Sequence, residues 1–366
     1  MRAVSHLRPL PAPIAVAFQR QAKSCTDLGS PFTAALCSLI ASRGLPDCAT
    51  RDCIAGWPPE RADSRFDALP LRLCGALHFL VLCDADPELA AVYPPTNASQ
   101  EDLFDAVAAA ITRQDVPVAR FLRSPPQTNE AARSAVLLPG FLRLAQDHPM
   151  PLVLSELGSS AGLNQNWHRF RYDYGSWAWG DPSSPVRIRC DWPGPPGNYL
   201  QKVDVRASRG CDIATFPIDR GADRMKLRSY VWPDQPARHQ RLNGALRIAA
   251  DHPPKVDRAR ACDWIGKRLA ERKQGRLHVI FHTIMWQYMP AEEQLWVEDL
   301  IREAGARASR DAPLAWLRLE TDGDPDGAAL HVTTWSGLPD DGKTRLLARA
   351  DFHGRWIKPA IGLAAE

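Results

Sequence analysis

The chain of 366 residues lacks any run of 18 apolar side chains, the length a helix needs to cross the hydrocarbon of a bilayer, so no membrane-spanning helix is expected. It also lacks a dominant charge. The 45 Lys and Arg stand against 42 Asp and Glu, and a formal +3 creates no field that demands nucleic acid or an anionic membrane as partner. Cysteine occurs nine times but never as C-x-x-C, which argues against a zinc ribbon, a disulfide framework and a bound metal. The closest pair, Cys48 and Cys53, reads as reduced thiols in a loop. Tryptophan is scarce only at first: Trp57 is the sole one of twelve within residues 1–150. The apolar stretch Ile14–Phe18 is too short, and too crowded by Pro9, Pro11 and Pro13, for a secretory leader, so the expected compartment is the cytoplasm.

What the sequence does contain is the material of a globular core, with 45% hydrophobic and 24% charged residues over a length that suits one large domain or two moderate ones. Apolar residues recur at helical spacing over 31–42, 66–92, 101–114 and 115–123, with breaks at Pro46, Pro58-Pro59, Pro94-Pro95 and Pro125-Pro126. This predicts a helical N-terminal cap region over residues 1–126. Thr128 or Asn129 is the expected N-cap of a helix through 131–145. Beyond it the pattern predicts strands over 151–157, 203–212, 256–261, 277–283, 313–320, 330–335 and 344–352, with helices over 240–250, 263–272 and 291–307. Such alternation marks an α/β sheet, mostly parallel, filling residues 127–366. The last two strands are joined by residues 336–343 alone and should form an antiparallel hairpin. Residues 172–202, rich in Trp, Pro, Gly and Ser, read as an insertion of irregular or short β structure.

The sharpest local signal is Leu154-Ser155-Glu156-Leu157-Gly158-Ser159-Ser160-Ala161-Gly162-Leu163-Asn164, a strand ending in a carboxylate and followed by small residues that open a helix. Gly158 and Gly162 permit backbone conformations and close ligand approach that a Cβ would block, and a helix start leaves N–H groups facing the loop's mouth. The crevice at the carboxyl ends of the strands is where open α/β sheets bind ligands.

This stretch resembles the first motif of class I S-adenosylmethionine-dependent methyltransferases, an acidic residue with glycines two, four and six positions on. Glu156, Gly158 and Gly162 match, and Ser160 replaces the middle glycine. The resemblance implies a Rossmann-like sheet and S-adenosylmethionine as cofactor, held by Glu156, Gly158, Ser159, Ser160, Gly162 and Asn164. It also implies that Asp212, closing the second strand, binds the ribose hydroxyls, and that the adenine lies near Asp263, a residue that reads equally as a helix N-cap. The glycine spacing differs from G-x-G-x-x-G and argues against a nicotinamide-dependent oxidoreductase.

Longer stretches, among them 152–174, Ser229–Gln235, His282–Tyr288, Pro313–Leu317 and Asp351–Gly354, resemble a bacterial family of uncharacterised proteins, domain-of-unknown-function family 2332. That resemblance implies no activity. In methyltransferase-like folds the end of the fourth strand holds the methyl acceptor, here His282-Thr283-Ile284-Met285-Trp286-Gln287-Tyr288. His282, Tyr288 or His353 is the expected base, with Trp286, Gln287, Asp234 and Gln235 contacting a small-molecule substrate. His282 and Trp286 also read as core, and His353 as part of a C-terminal seal. A non-catalytic scaffold that binds a ligand or partner is the alternative to an enzyme.

Overall fold

The computed structural model describes residues 6–63, 66–127, 130–193 and 202–360. The chain divides into two units, Met1–Thr128 with Asp219–His239, and Asn129–Ile218 with Gln240–Glu366. Thr128 and Asn129, the expected N-cap, lie outside the described residues, as does part of the 172–202 insertion. No helix among the described residues is long and apolar enough to cross a membrane.

The first unit is helical: Ala12–Asp27, Pro31–Arg43, Ala49–Ala55, Leu69–Leu82, Pro87–Ala90, Gln100–Arg113, Asp115–Leu122 and Gly221–Ser229. The helix Ala12–Asp27 forms in spite of the nearby prolines because Pro11 stands at its N-cap and Pro13 in its first turn, where no intrahelical N–H is needed. Its face of Ile14, Phe18 and Cys25 is fully buried. The segment Asp219–His239 folds with this unit, whereas the sequence division places it with the sheet. Its apolar run explains why: Tyr230 fills the space above Gly75, and Trp232 packs with Cys25 and Ala34.

The second unit is built on one eight-stranded sheet: β1 (Leu152–Leu157), β2 (Val205–Asp212), β3 (Val256–Arg258), β4 (Leu277–Thr283), β5 (Leu314–Glu320), β6 (Ala328–Trp335), β7 (Thr344–Ala350) and β8 (Ile357–Pro359). Their spatial order is β8-β7-β6-β5-β4-β1-β2-β3. The pairs among β3, β2, β1, β4 and β5 are parallel, and those from β5 to β8 antiparallel. The expected β6–β7 hairpin is present as one step of a longer meander that also takes in β5 and β8. Leu152, Leu154, Val279, Ile280, Leu317 and Leu319 have no exposed surface, as strands covered on both faces require.

The crossover from β1 to β2 departs from the usual α-helix. It is a seven-residue 3-10 helix, Leu163–Arg169, followed by a small sheet of Arg171–Asp173, Ala178–Trp179 and Arg187–Arg189. Aromatic packing holds this stretch in place of a helix face. Trp167 stacks on Phe141 at 4.3 Å, and the buried Tyr172 and Tyr174 donate their hydroxyls to Ser134 Oγ (3.0 Å) and Ala135 O (2.6 Å).

Candidate functional site

β1 is flanked by β2 on one side and β4 on the other, so the chain leaves it in one direction and returns in the opposite one. This is a topological switch point, the place where open α/β sheets carry ligand crevices. Four residues around it, Gly158, Ser160, Gly162 and Ile284, have positive φ between 49° and 71°. For the β-branched Ile284 that conformation is strained, and strain of this kind gathers at functional loops.

The loop after β1 is braced by β2 rather than open. Ser159 N–H donates to Cys211 O at 3.0 Å, Ser160 N–H to Asp212 Oδ2 at 2.8 Å, and Gly162 N–H to Ser159 O at 2.7 Å. Asp212 accepts Ala214 N–H on its other oxygen at 2.8 Å. The expectation of bare amides facing a ligand is therefore corrected for these three groups: the neighbouring strand end supplies the acceptors for Ser159 and Ser160, and the loop's own Ser159 carbonyl the one for Gly162. Asp212 itself braces the loop. The glycines are corrected likewise. A Cβ on Gly158 would meet Met285 Cβ at 2.9 Å, and one on Gly162 would meet Pro254 Cβ at 2.7 Å, so protein rather than ligand makes the close approach.

A residue outside the expected set completes the brace. The Ser159 side chain sits over Gly210, where an added Cβ would lie 1.8 Å from Ser159 Oγ. Gly210→Ala is expected to destabilise the fold by about 1–3 kcal/mol through overpacking, and Ser159→Gly in the same chain should recover much of that loss. Urea unfolding of both single variants and the double variant checks this, and additive losses would rule the packing account out.

Glu156 closes β1 and is 4% exposed, with Oε2 buried and without a hydrogen-bond partner among the described residues. Burial pushes its carboxyl up to about 8, the Asp212 charge adds to the rise, and the Ser159 and Gln165 side chains oppose it. Buried acceptors are normally satisfied, so an orphaned carboxylate oxygen at a switch point marks a place where a donor fits. Asn164 Oδ1, on the same connection, is a second buried acceptor without a partner among the described residues.

On the β4 side the structure gives His282 a different task from the expected base. Its ring is 1% exposed; Nδ1 lies 2.7 Å from Glu320 Oε1, and Nε2 accepts the indole N–H of Trp316 at 3.0 Å. The indole donor leaves Nε2 no proton, so Nδ1–H donates to Glu320. A histidine with both nitrogens engaged has no lone pair to offer a substrate. Glu320 also accepts Met285 N–H at 3.1 Å, which ties the strained turn to β5. Trp286 stacks on the His282 ring at 5.0 Å and is half-buried, while Gln287 and Tyr288 are exposed on the following turn.

The remaining expected residues each have their own surroundings. Asp263 is exposed in the first turn of the helix Ala261–Ala270, whose N-cap is Arg260, so the capping reading is corrected too. Asp234 belongs to the helical unit, where it accepts Ser30 Oγ and Phe32 N–H at the start of the helix Pro31–Arg43. Gln235 donates to Leu28 O in the same unit. These partners give both side chains a structural role within the helical unit. His353 is half-buried in the turn after β7, its backbone N–H bonded to Asp351 Oδ2 at 2.9 Å. Arg133 Nε donates to Phe352 O in this turn, consistent with a seal. Glu320 was absent from the expected set, although it carries the same signal as Glu156 and Asp212, a carboxylate closing a strand.

A family model described as an uncharacterized protein conserved in bacteria (DUF2332) matches residues 15–358. No curated protein and no solved structure matches the chain.

Proposed function

The chain belongs to this bacterial family of uncharacterized proteins, and from its geometry we propose that the second unit is a methyltransferase-like module that binds S-adenosylmethionine at the carboxyl edge of β1 and serves methyl transfer to a small-molecule acceptor. The parallel order β3-β2-β1-β4-β5 supports a nucleoside-type ligand, because doubly wound sheets of that order bind nucleotides at the switch point. The single observation that carries the reading is Glu156, a buried carboxyl group with one oxygen unpartnered among the described residues, beside a loop whose Ser159, Ser160 and Gly162 amides are already engaged.

That combination suits a ligand with cationic and hydroxyl donors and no phosphate. A pyrophosphate needs several free N–H groups at a helix start, and a cation needs a carboxylate. S-adenosylmethionine, when bound, supplies a methyl group on a sulfonium together with an ammonium and two vicinal hydroxyls. Glu156 and Asn164 would accept from it. Gln287 and Tyr288, exposed after β4, would contact the acceptor, while Glu320 and His282 hold the Met285 turn in place.

A carboxyl near 8 must give up its proton to hold a cation. Calorimetric titration of S-adenosylmethionine at pH 6.5, in buffers of different ionisation enthalpy, is therefore expected to show release of about one proton per ligand, and Glu156→Gln to release none. No heat and no thermal stabilisation at millimolar ligand would sink the proposal. The engagement of both His282 nitrogens favours a second reading, binding without turnover. Transfer of a labelled methyl group into any fraction of a cell extract would exclude it.

A further inference from the structure

The opposite edge of the sheet carries a concentration of positive charge that the methyl-transfer reading does not use. The helix Ala261–Ala270 ends there, and the connection to β4 folds around a cavity of about 320 Å³ lined by Arg268, Glu271, Arg272, Lys273, Arg276 and His278, together with two apolar strand residues. Four cations thus surround one carboxylate.

Two of the four have structural work. Arg272 donates to Ala304 O at 2.7 Å and Ala312 O at 3.1 Å, and Arg268 Nη1 donates to Glu271 Oε2 at 3.0 Å. Yet Arg268 Nε is buried and has no partner among the described residues. Lys273 and Arg276 have no ion pair or side-chain hydrogen bond among the described residues. Burial first, then the Arg268 and Arg272 charges, hold the His278 imidazole down to about 3, so it is a neutral wall bonded to Ser155 Oγ at 2.8 Å. Like charges gathered around one concavity repel unless an anion joins them, and guanidinium forks match the oxygens of phosphate two at a time.

We propose that this cavity is a second ligand site, which takes a small phosphorylated molecule. Its size falls at the lower end of small-molecule sites, about 300–1,000 Å³, and its cations call for an anion of more than one charge. Lys273 and Arg276 are the residues most directly committed to that ligand, because nothing else in the described structure occupies them. Arg268 would contribute its unused Nε–H.

Inorganic pyrophosphate is the probe, titrated calorimetrically into the full-length chain at about 150 mM salt, where surface attraction is largely screened. Saturable binding is expected, and Lys273→Ala with Arg276→Ala should weaken it by about tenfold or more. The substitutions lie in the connecting loop, so far-UV circular dichroism and the thermal midpoint should not change. Binding no stronger than that of sulfate at matched ionic strength, or unchanged in the double variant, would overturn the proposal. Tighter binding of an oligothymidylate than of pyrophosphate, lost in the same variant, would overturn the small-molecule assignment and point to a nucleic-acid backbone. Neither readout depends on S-adenosylmethionine, so this site and the one at β1 stand or fall separately.

Discussion

Glu156→Gln is expected to make the folded protein more stable than the wild type at pH 9, by roughly 4 kcal/mol, and no more stable at pH 4. The sign follows from the direction of the shift. Glu156 sits near 8 when folded against an ordinary value of 4.5, so between those limits the folded chain holds a proton that the unfolded chain has released. Stability from the protonated group is complete below about 4.5 and is lost progressively as pH rises through 8, at about 1.4 kcal/mol per pH unit. Glutamine has no proton to lose and escapes that decline. Urea unfolding of both proteins from pH 4 to 9 measures the difference directly, and parallel profiles would show that Glu156 is solvated rather than buried. The same substitution should abolish the proton release coupled to S-adenosylmethionine, so one residue would be costly for stability and necessary for binding, the pattern expected of a functional group.

Glu320→Ala should cost about 3 kcal/mol or more. It strips the acceptor from two donors at once, His282 Nδ1–H and Met285 N–H, and each buried donor left unpaired costs on the order of 1–3 kcal/mol. Glu320→Gln should cost less, because its amide oxygen can still accept from one of them. A denaturant series on the two variants separates these outcomes. Equal, small losses would mean that water reaches the cluster, and His282 would then regain its standing as a candidate base. The Ile284 turn should loosen in Glu320→Ala as well, since its positive φ is held by the Met285 bond beside it.

These two carboxylates also show where sequence reading succeeds and where it stops. The strands at 277–283 and 152–157 were legible because an apolar run bounded by turn residues has few other solutions, and Glu156 stood out as a charge at the end of such a run. Glu320 carries the same mark on β5, but its role depends on His282 on the neighbouring strand β4 and on Met285 after it, which nothing near it in the chain signals. The helix Ala12–Asp27 falls within the region expected to be helical, but its bounds are not marked by the apolar spacing, because prolines crowd its start and Pro13 is accommodated in its first turn. The segment Asp219–His239 clusters with the helical unit because Tyr230 and Trp232 pack on Gly75, Cys25 and Ala34, partners remote in the chain that contiguity does not reveal.

By itself the sequence determined the parts: which stretches are strands, which are helices, and that a small-residue loop follows a carboxylate at the end of β1. Hydrophobic periodicity and turn chemistry are local properties, written within a few residues of where they act. Only the tertiary structure decided what the polar groups do. It turned the Ser159, Ser160 and Gly162 amides toward protein acceptors, covered Gly158 with Met285, saturated His282, and left an oxygen of Glu156 without a partner among the described residues. A hydrogen bond joins atoms that are neighbours in space, and residues 156, 212, 285 and 320 become neighbours only when the strands that carry them are laid side by side.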